Sequence, residues 1–444
     1  MNNQITNFWR SLKFWLALKQ GNNSLANQIL KAIENSGAKL SPLEKLYQDK
    51  LKFQESLNDK DREIGNLSKH LRKAVDKLDE LELKLDFDEP VIRRLDDYIL
   101  TPEAKFIEFV TKRFQLIEKD ENLLQCTGID ERIFDDFESS LAEYIKSELE
   151  RIPEKKRELE LKKAHRDIEW LKRGADPDYG FDLTPHVYFM KYFLDNVYCN
   201  YLAWYLVYKS GLLPTKINIL DIAAGPATVA YGLALFLQSS SGFFPTPPMH
   251  ICYYSLEKQA QFQYRGLQFW RQYIEKQIMP TNLYFRFDTT DIFTYNEQFK
   301  VLPRGFFDVI TISHCLFADP KEKRKSFEVY RKIFQESLSS DGYVIIIVQG
   351  KKIFINYHLE FSENLDQEQK LIENFMADMG LNLVWYKYLT STGKRMPTKG
   401  AEYARFASEN LPRQKYMEKL KKQYLENKHD SNYGLDDYII LAKR

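Results

Sequence analysis

The stretch Lys216-Ile-Asn-Ile-Leu-Asp-Ile-Ala-Ala-Gly-Pro-Ala-Thr-Val-Ala230 decides how the rest of the chain is read. Ile217 to Ala223 is a short apolar run carrying one acid, Asp221, which is how a strand buried on both faces reads. Ala224-Gly225-Pro226-Ala227 then supplies a turn of small residues, and from Thr228 the positions Val229, Leu233, Phe236 and Leu237 share one helical face. The spacing predicts strand, turn, helix. In a parallel α/β sheet such a turn lies at the carboxyl end of its strand, where the helix amino terminus offers unpaired N–H groups and small side chains let a ligand reach the backbone.

Of the three glycines in the dinucleotide-binding fingerprint, this turn keeps the middle one, Gly225, with Ala223 and Ala227 at the outer positions. A methyl group at Ala227 narrows the space a pyrophosphate would need, which argues against NAD or FAD. With Asp221 four residues before Gly225, the stretch resembles motif I of the class I S-adenosylmethionine (SAM) dependent methyltransferases, in particular the subgroup with an acid-x-x-x-Gly-Pro-Gly/Ala-Thr turn. The competing reading is a plain strand-helix turn in an unrelated α/β protein, and the strands that follow discriminate. Met249 to Leu256 is β-rich and ends on Glu257; Leu283 to Phe287 ends near Asp288 and Asp291; Phe306 to Ile312 runs into Ser313-His314-Cys315. Tyr343 to Val348, Leu383 to Leu389 and Tyr438 to Leu441 complete seven, with helices expected over 258–277 and 321–338.

The resemblance covers roughly 170–444 and implies an α/β fold: a seven-stranded Rossmann-like methyltransferase sheet over 176–444, its last strand antiparallel, preceded by an all-α region over 1–175. It also implies SAM as cofactor and methyl transfer as activity. At the matching positions Ala223, Gly225 and Ala227 let the methionine part of SAM lie against main chain, and Asp221 receives its ammonium directly or through water. Glu257 accepts from both ribose hydroxyls, as an ionised carboxylate can at its two oxygens. Asp291 takes the adenine amino group, with Asp288 as rival should the third strand end earlier. Leu256 or Ile292 packs on the purine, Ser313 stands at the cofactor from the fourth strand, and Tyr188, Tyr192 and Asn200 are candidates for the wall.

Ser313-His314-Cys315-Leu316-Phe317 is where the methyl group would be transferred. It departs from the Asn/Asp-Pro-Pro-Tyr signature of enzymes that methylate exocyclic amino groups of bases or glutamine, which argues against that chemistry. His314 is placed to take a proton from the acceptor; the other reading is a histidine that only hydrogen-bonds its surroundings. A sulfonium is already activated, so transfer needs little beyond alignment. Cys315 has neither a base nor a positive neighbour in sequence, which argues against a nucleophile.

The remainder bounds the setting. At 444 residues the chain has room for two or three domains, and its net charge of +1 gives no global attraction for nucleic acid or anionic membrane. Four cysteines are too few and scattered for a disulfide framework or a structural zinc site, which points to a cytoplasmic protein with no metal. No basic leader with an apolar core opens the chain, and no apolar run reaches membrane-spanning length. Residues 1–175 read as helical with no strand: Trp9 to Lys19, Ser24 to Ser36, Pro42 to Phe53, 103–119 and 131–173, broken at Pro153. Within them, Leu57, Ile64, Leu71, Leu78 and Leu85 recur every seven, a coiled-coil-like segment over 57–86 that would dimerise, hold a partner, or pack on its own domain.

Thr390 to Leu435 is an insertion between the last two strands, where a short hairpin is usual. It interleaves basic residues, Lys394, Arg395 and Lys399 among them, with Tyr403, Phe406, Tyr416 and Tyr424, a composition that suits a nucleic-acid backbone or stacked bases. The other reading of the insertion is a solvated helix over 411–428 that closes over the sheet edge; on the first reading the expected acceptor is a macromolecule, RNA ahead of protein. The alternatives are a non-catalytic scaffold that keeps the fold, or a small-molecule O- or N-methyltransferase.

Overall fold

The computed structural model describes residues 2–19, 23–37, 40, 44–45, 48 and 99–444, except 174, 244–248, 278–280, 295–301, 399 and 427–430. The coiled-coil-like segment expected over 57–86 lies outside the described residues. The chain divides into two compact units, Met1–Arg93 and Arg94–Arg444. In the first, helices α1 (Asn2–Lys19) and α2 (Asn23–Asn35) bury Phe14 and Ala17 against Ala26 and Leu30.

The second unit is built on a nine-stranded sheet of order β1-β2-β8-β9-β7-β6-β3-β4-β5. Its strands are β1 (Leu116–Glu118), β2 (Leu123–Cys126), β3 (Lys216–Ile222), β4 (His250–Glu257), β5 (Leu283–Thr289), β6 (Phe307–Ser313), β7 (Leu338–Gln349), β8 (Asn382–Thr390) and β9 (Asp436–Lys443). β3 to β7 run parallel, and β9 inserts antiparallel to both β7 and β8. The seven strands β3 to β9 are thus the arrangement expected from the sequence, with β1 and β2 added at one edge. β3, β4, β6, β7 and β9 form because each carries an apolar run buried on both faces: Leu220, Ile222, Ile310 and Ile346 join one core, while Ile217, Ile219, Val309 and Ile345 join the other.

Two strands correct the all-helical reading of 1–175. β2 pairs parallel with β8, Leu124 opposite Leu389, and β1 pairs antiparallel with β2. Helix α3 (Ala104–Arg113) stops where Gln115 takes φ +48°, so the helix expected over 103–119 gives way to strand. Runs of three and four residues carry too few alternations to be told from a frayed helix end. Helices α4 (Glu131–Glu150) and α5 (Glu154–Ile168) do follow, but Ile133, Phe137 and Ile145 share one core with Tyr198, Phe236 and Ile345. The region from 99 onward is therefore part of the sheet's own unit, not a separate helical domain ending at 175.

The aromatic segment folds as α6 (Thr184–Tyr188), a π-turn (Phe189–Phe193) and α7 (Leu194–Lys209), and packs on α8 (Thr228–Ser240). Trp204 Nε1 donates to Val229 O at 3.1 Å, fixing the two helices. Helix α9 is Ala260–Tyr273, α10 is Pro320–Ser337, α11 is Gly350–Asn356 and α12 is Leu365–Met379. The insertion forms two helices, α13 (Gly400–Asn410) and α14 (Lys415–Tyr424). Glu138 of α4, fully buried, accepts from the main-chain N–H groups of Tyr416 (2.7 Å) and Met417 (2.8 Å), so a carboxylate holds the amino terminus of α14. No described helix is long and apolar enough to cross a membrane.

Candidate functional site

The strands on either side of β3 and β6 are added in opposite directions across the sheet, and the turn after β3 opens at that switch point. Ala223, Gly225 and Ala227 have φ of +55°, +54° and +65°, so two L-residues hold a conformation glycine would adopt freely. A Cβ added at Gly225 would meet nothing within 4 Å, which leaves the main chain open on its cavity side. The Gly225 N–H donates to Glu257 Oε2 at 2.8 Å, and the Gln259 N–H donates to Oε1 at 2.8 Å. Burial raises the Glu257 carboxyl above the usual range, opposed by the main-chain N–H groups of Gln259, Gly225 and Lys258.

These residues line a cavity of about 1450 Å³ that crosses the carboxyl ends of the strands. Ala223, Gly225, Glu257, Asp291, Ile292, Ser313 and His314 meet in it, as do Tyr188 and Tyr192. Asp291 Oδ1 accepts from the Phe293 N–H at 2.9 Å and Oδ2 pairs with Lys258 at 3.1 Å. Asp288, the rival, is buried beneath Thr290 and Tyr254 and lines no part of the cavity. Leu256 is likewise core, leaving Ile292 as the apolar wall.

Three further expected residues lie outside the lining: Asp221, Ala227 and Asn200, the last buried in α7. Asp221 is buried with both oxygens occupied: Tyr253 Oη donates to Oδ2, and Thr311 Oγ1 donates to Oδ1 at 2.7 Å. Burial pushes its carboxyl up to about 7, against those two hydrogen bonds. Asp221 therefore braces the strand ends from within and does not meet a ligand's ammonium directly. Ala227 serves as the residue before α8, buried under the turn.

At the tip of β6 the side chains form a connected line. Asn200 Nδ2 donates to Asn196 O (2.8 Å) and to Ser313 Oγ (3.1 Å), Ser313 Oγ lies 3.0 Å from His314 Nδ1, and His314 Nε2 lies 3.1 Å from Asp437 Oδ1. His314 sits at φ +59°, its N–H donating to Ile347 O at 2.8 Å. Burial pushes the neighbouring Cys315 thiol up to about 11, its Sγ facing Tyr330 Oη at 3.6 Å, so it is no nucleophile at neutral pH.

Several lining residues gave no sequence signal. Asp176 to Tyr179, just past the division expected at 175, folds over the cavity because Asp167 accepts from the N–H groups of Asp178 and Tyr179, each at 2.9 Å. Asp195, Asp436 and Asp437 form an acidic wall opposite Tyr403 and Arg405 of α13. Burial raises Asp195 and Asp436 to about 7 each. Of the three basic residues singled out in the insertion, Lys394 is exposed and Lys399 is outside the described residues. Arg395 is buried, donating to Glu368 at 2.9 Å and to Asp120 at 2.6 and 3.0 Å, so it ties the insertion to the β1–β2 turn and cannot contact an acceptor.

No family model matches the chain, and no curated protein does. Among solved structures, it is similar to a SAM-dependent methyltransferase from Methanosarcina mazei, at 11% identity over 52% of this chain and 94% of that one, with a TM-score of 0.28. A fibrillarin pre-rRNA processing protein from Methanococcus jannaschii shows 14% identity over 52% and 66%, with a TM-score of 0.27. The plantazolicin methyltransferase BpumL, in complex with a triazolic desmethylPZN analog and SAH, shows 14% identity over 71% and 100%, with a TM-score of 0.29. The fold is the Rossmann-like class I methyltransferase fold, and the strand order with its antiparallel β9 is what establishes it.

Proposed function

We propose that this protein transfers a methyl group from SAM to an acceptor that enters between the tip of β6 and the insertion. The observation that carries the reading is the joining of Gly225 to Glu257 across two strand tips, beside main chain that no side chain covers. Glu257 would hold the ribose hydroxyls, since each of its oxygens has a described main-chain donor and a carboxylate oxygen accepts more than one. Asp291 and Ile292 would take the adenine, and Ala223 with Gly225 the methionine backbone. When bound, SAM supplies an electrophilic methyl group; the chain's part is to align it and exclude water.

The cavity exceeds the roughly 300–1,000 Å³ of ordinary ligand clefts, which supports room for a cofactor and an acceptor group together. A phosphate track along the insertion has little support. Arg395 is spent on Asp120 and Glu368, Arg413 and Lys422 pair with Glu418, and Lys415 faces Asp135. An acceptor carried by RNA or protein would thus enter as a single protruding group. Calorimetry with SAM and with S-adenosylhomocysteine tests the reading: an enzyme binds both, whereas heat from neither leaves only a scaffold.

A further inference from the structure

We infer that Ser313, His314 and Asp437 form a proton relay and that the acceptor it serves is a hydroxyl; the inference rests on the methyl-transfer reading above. A carboxylate only accepts, so the 3.1 Å contact to Asp437 places the proton on His314 Nε2. In the neutral ring Nδ1 is then the acceptor, and Ser313 Oγ at 3.0 Å donates to it. Asn200 donates to the same Oγ, which aims the serine hydroxyl at the imidazole. Donors and acceptors thus run in one direction from helix α7 to strand β9, and Ser313, His314 and Asp437 all line the cavity. His314 is held at φ +59°, a strained conformation for a non-glycine residue of the kind that concentrates at functional sites.

The need for a base identifies the acceptor. A neutral amine or a thioether attacks a sulfonium methyl group without first losing a proton, whereas a hydroxyl must shed one as its oxygen becomes bonded to carbon. In the balanced step, the acceptor oxygen bonds to the methyl carbon while the carbon–sulfur bond breaks with its electron pair left on sulfur. The acceptor's proton moves to Ser313 Oγ as Ser313 passes its own to His314 Nδ1. The resulting imidazolium lies against Asp437. Around it also lie the Cys199 thiol from α7, within 4.8 Å of both His314 and Asp437, and, facing Asp437, Tyr388, Tyr403, Asp195 and Asp436, the last two approached by Lys421 and Lys351 in turn. Ser313 would touch the acceptor; His314 and Asp437 act through it.

The test joins nitrogen NMR of the full chain to methyl transfer from tritiated SAM. The His314 ring, assigned by its loss in His314→Gln, is expected as the Nε2–H tautomer at pH 8, and Asp437→Ala, which removes the acceptor facing Nε2, should reduce that tautomer's share. With p-cresol and benzylamine as probes, label should enter the phenol. Ser313→Ala should cut that kcat on the order of a hundredfold with S-adenosylhomocysteine affinity kept within a few fold. An Nδ1–H tautomer, a tautomer balance indifferent to Asp437→Ala, or stoichiometric zinc on Cys199, His314 and Asp437 overturns the relay. Label in benzylamine instead, or in neither probe, overturns the hydroxyl assignment. Failure to bind S-adenosylhomocysteine would sink the cofactor reading separately, since the ring can be observed in the free protein.

Discussion

The main-chain N–H of Gly225 donates to the carboxylate of Glu257 at 2.8 Å, so the turn after β3 and the acid ending β4 are one unit. Sequence places them 32 residues apart; parallel pairing of Lys216–Ile222 with His250–Leu256 brings their ends level. On the proposed function, removing the acid removes both the acceptor for two ribose hydroxyls and the partner of that N–H. Charge-assisted hydrogen bonds contribute about 1.5–3 kcal/mol each, so Glu257→Ala should weaken S-adenosylhomocysteine binding on the order of a hundredfold or more by calorimetry. Glu257→Gln, keeping one acceptor oxygen, should lose less.

Asp221→Asn separates bracing from binding. Its carboxyl, raised by burial to about 7 from 3.8, contributes stability below about pH 4 that is lost as the pH rises through about 7, because the unfolded chain ionises first. At about 1.4 kcal/mol per unit, the asparagine variant should be the more stable at pH 8, by an amount of order a few kcal/mol in urea unfolding. Since Asp221 lies off the cavity lining, S-adenosylhomocysteine affinity should change little.

His186 governs the acid side. It is buried with no hydrogen-bond partner for either ring nitrogen, and burial, aided by Arg265, lowers it to about 3 from 6.5. The unfolded chain takes up the proton first, so stability is lost as pH falls from about 6.5 toward 3. At pH 5 this amounts to about 2 kcal/mol. His186→Phe should flatten the pH dependence of urea unfolding between pH 7 and 5.

Arg395 and Lys394, neighbours in the insertion, should part company on substitution. Arg395→Leu leaves Glu368, 1% exposed, without its buried guanidinium partner and should cost about 3–5 kcal/mol. Lys394→Ala, at an exposed position, should leave the melting temperature within about a degree, as surface substitutions do.

Ala223 at φ +55° is a strained turn residue in which glycine fits better. Ala223→Gly should raise the melting temperature by a few degrees, corresponding to about 1 kcal/mol of relieved strain.

The central strands were legible because a parallel strand covered on both sides must be apolar along most of its buried length, and 217–222, 251–256, 307–312 and 343–348 are. Glu257, Asp291, Ser313 and His314 were legible for a related reason: strand ends in one parallel sheet share one rim. The direction of Asp221 was not. It faces Thr311 directly across β3 and β6, with Tyr253 on the next strand, and which face a buried acid takes depends on partners distant in sequence. The same is true of Arg395, whose basic character suggested a ligand until Asp120 and Glu368 arrived from two other elements. The short β1 and β2 acquire their identity only by pairing with β8.

A crystal structure of the protein grown with S-adenosylhomocysteine tests the central claim most directly. The account predicts the ribose hydroxyls on the Glu257 carboxylate, the adenine between Asp291 and Ile292, and the sulfur turned toward Ser313. A nucleoside held elsewhere, or a crevice that stays without it at saturating concentration, would contradict the account.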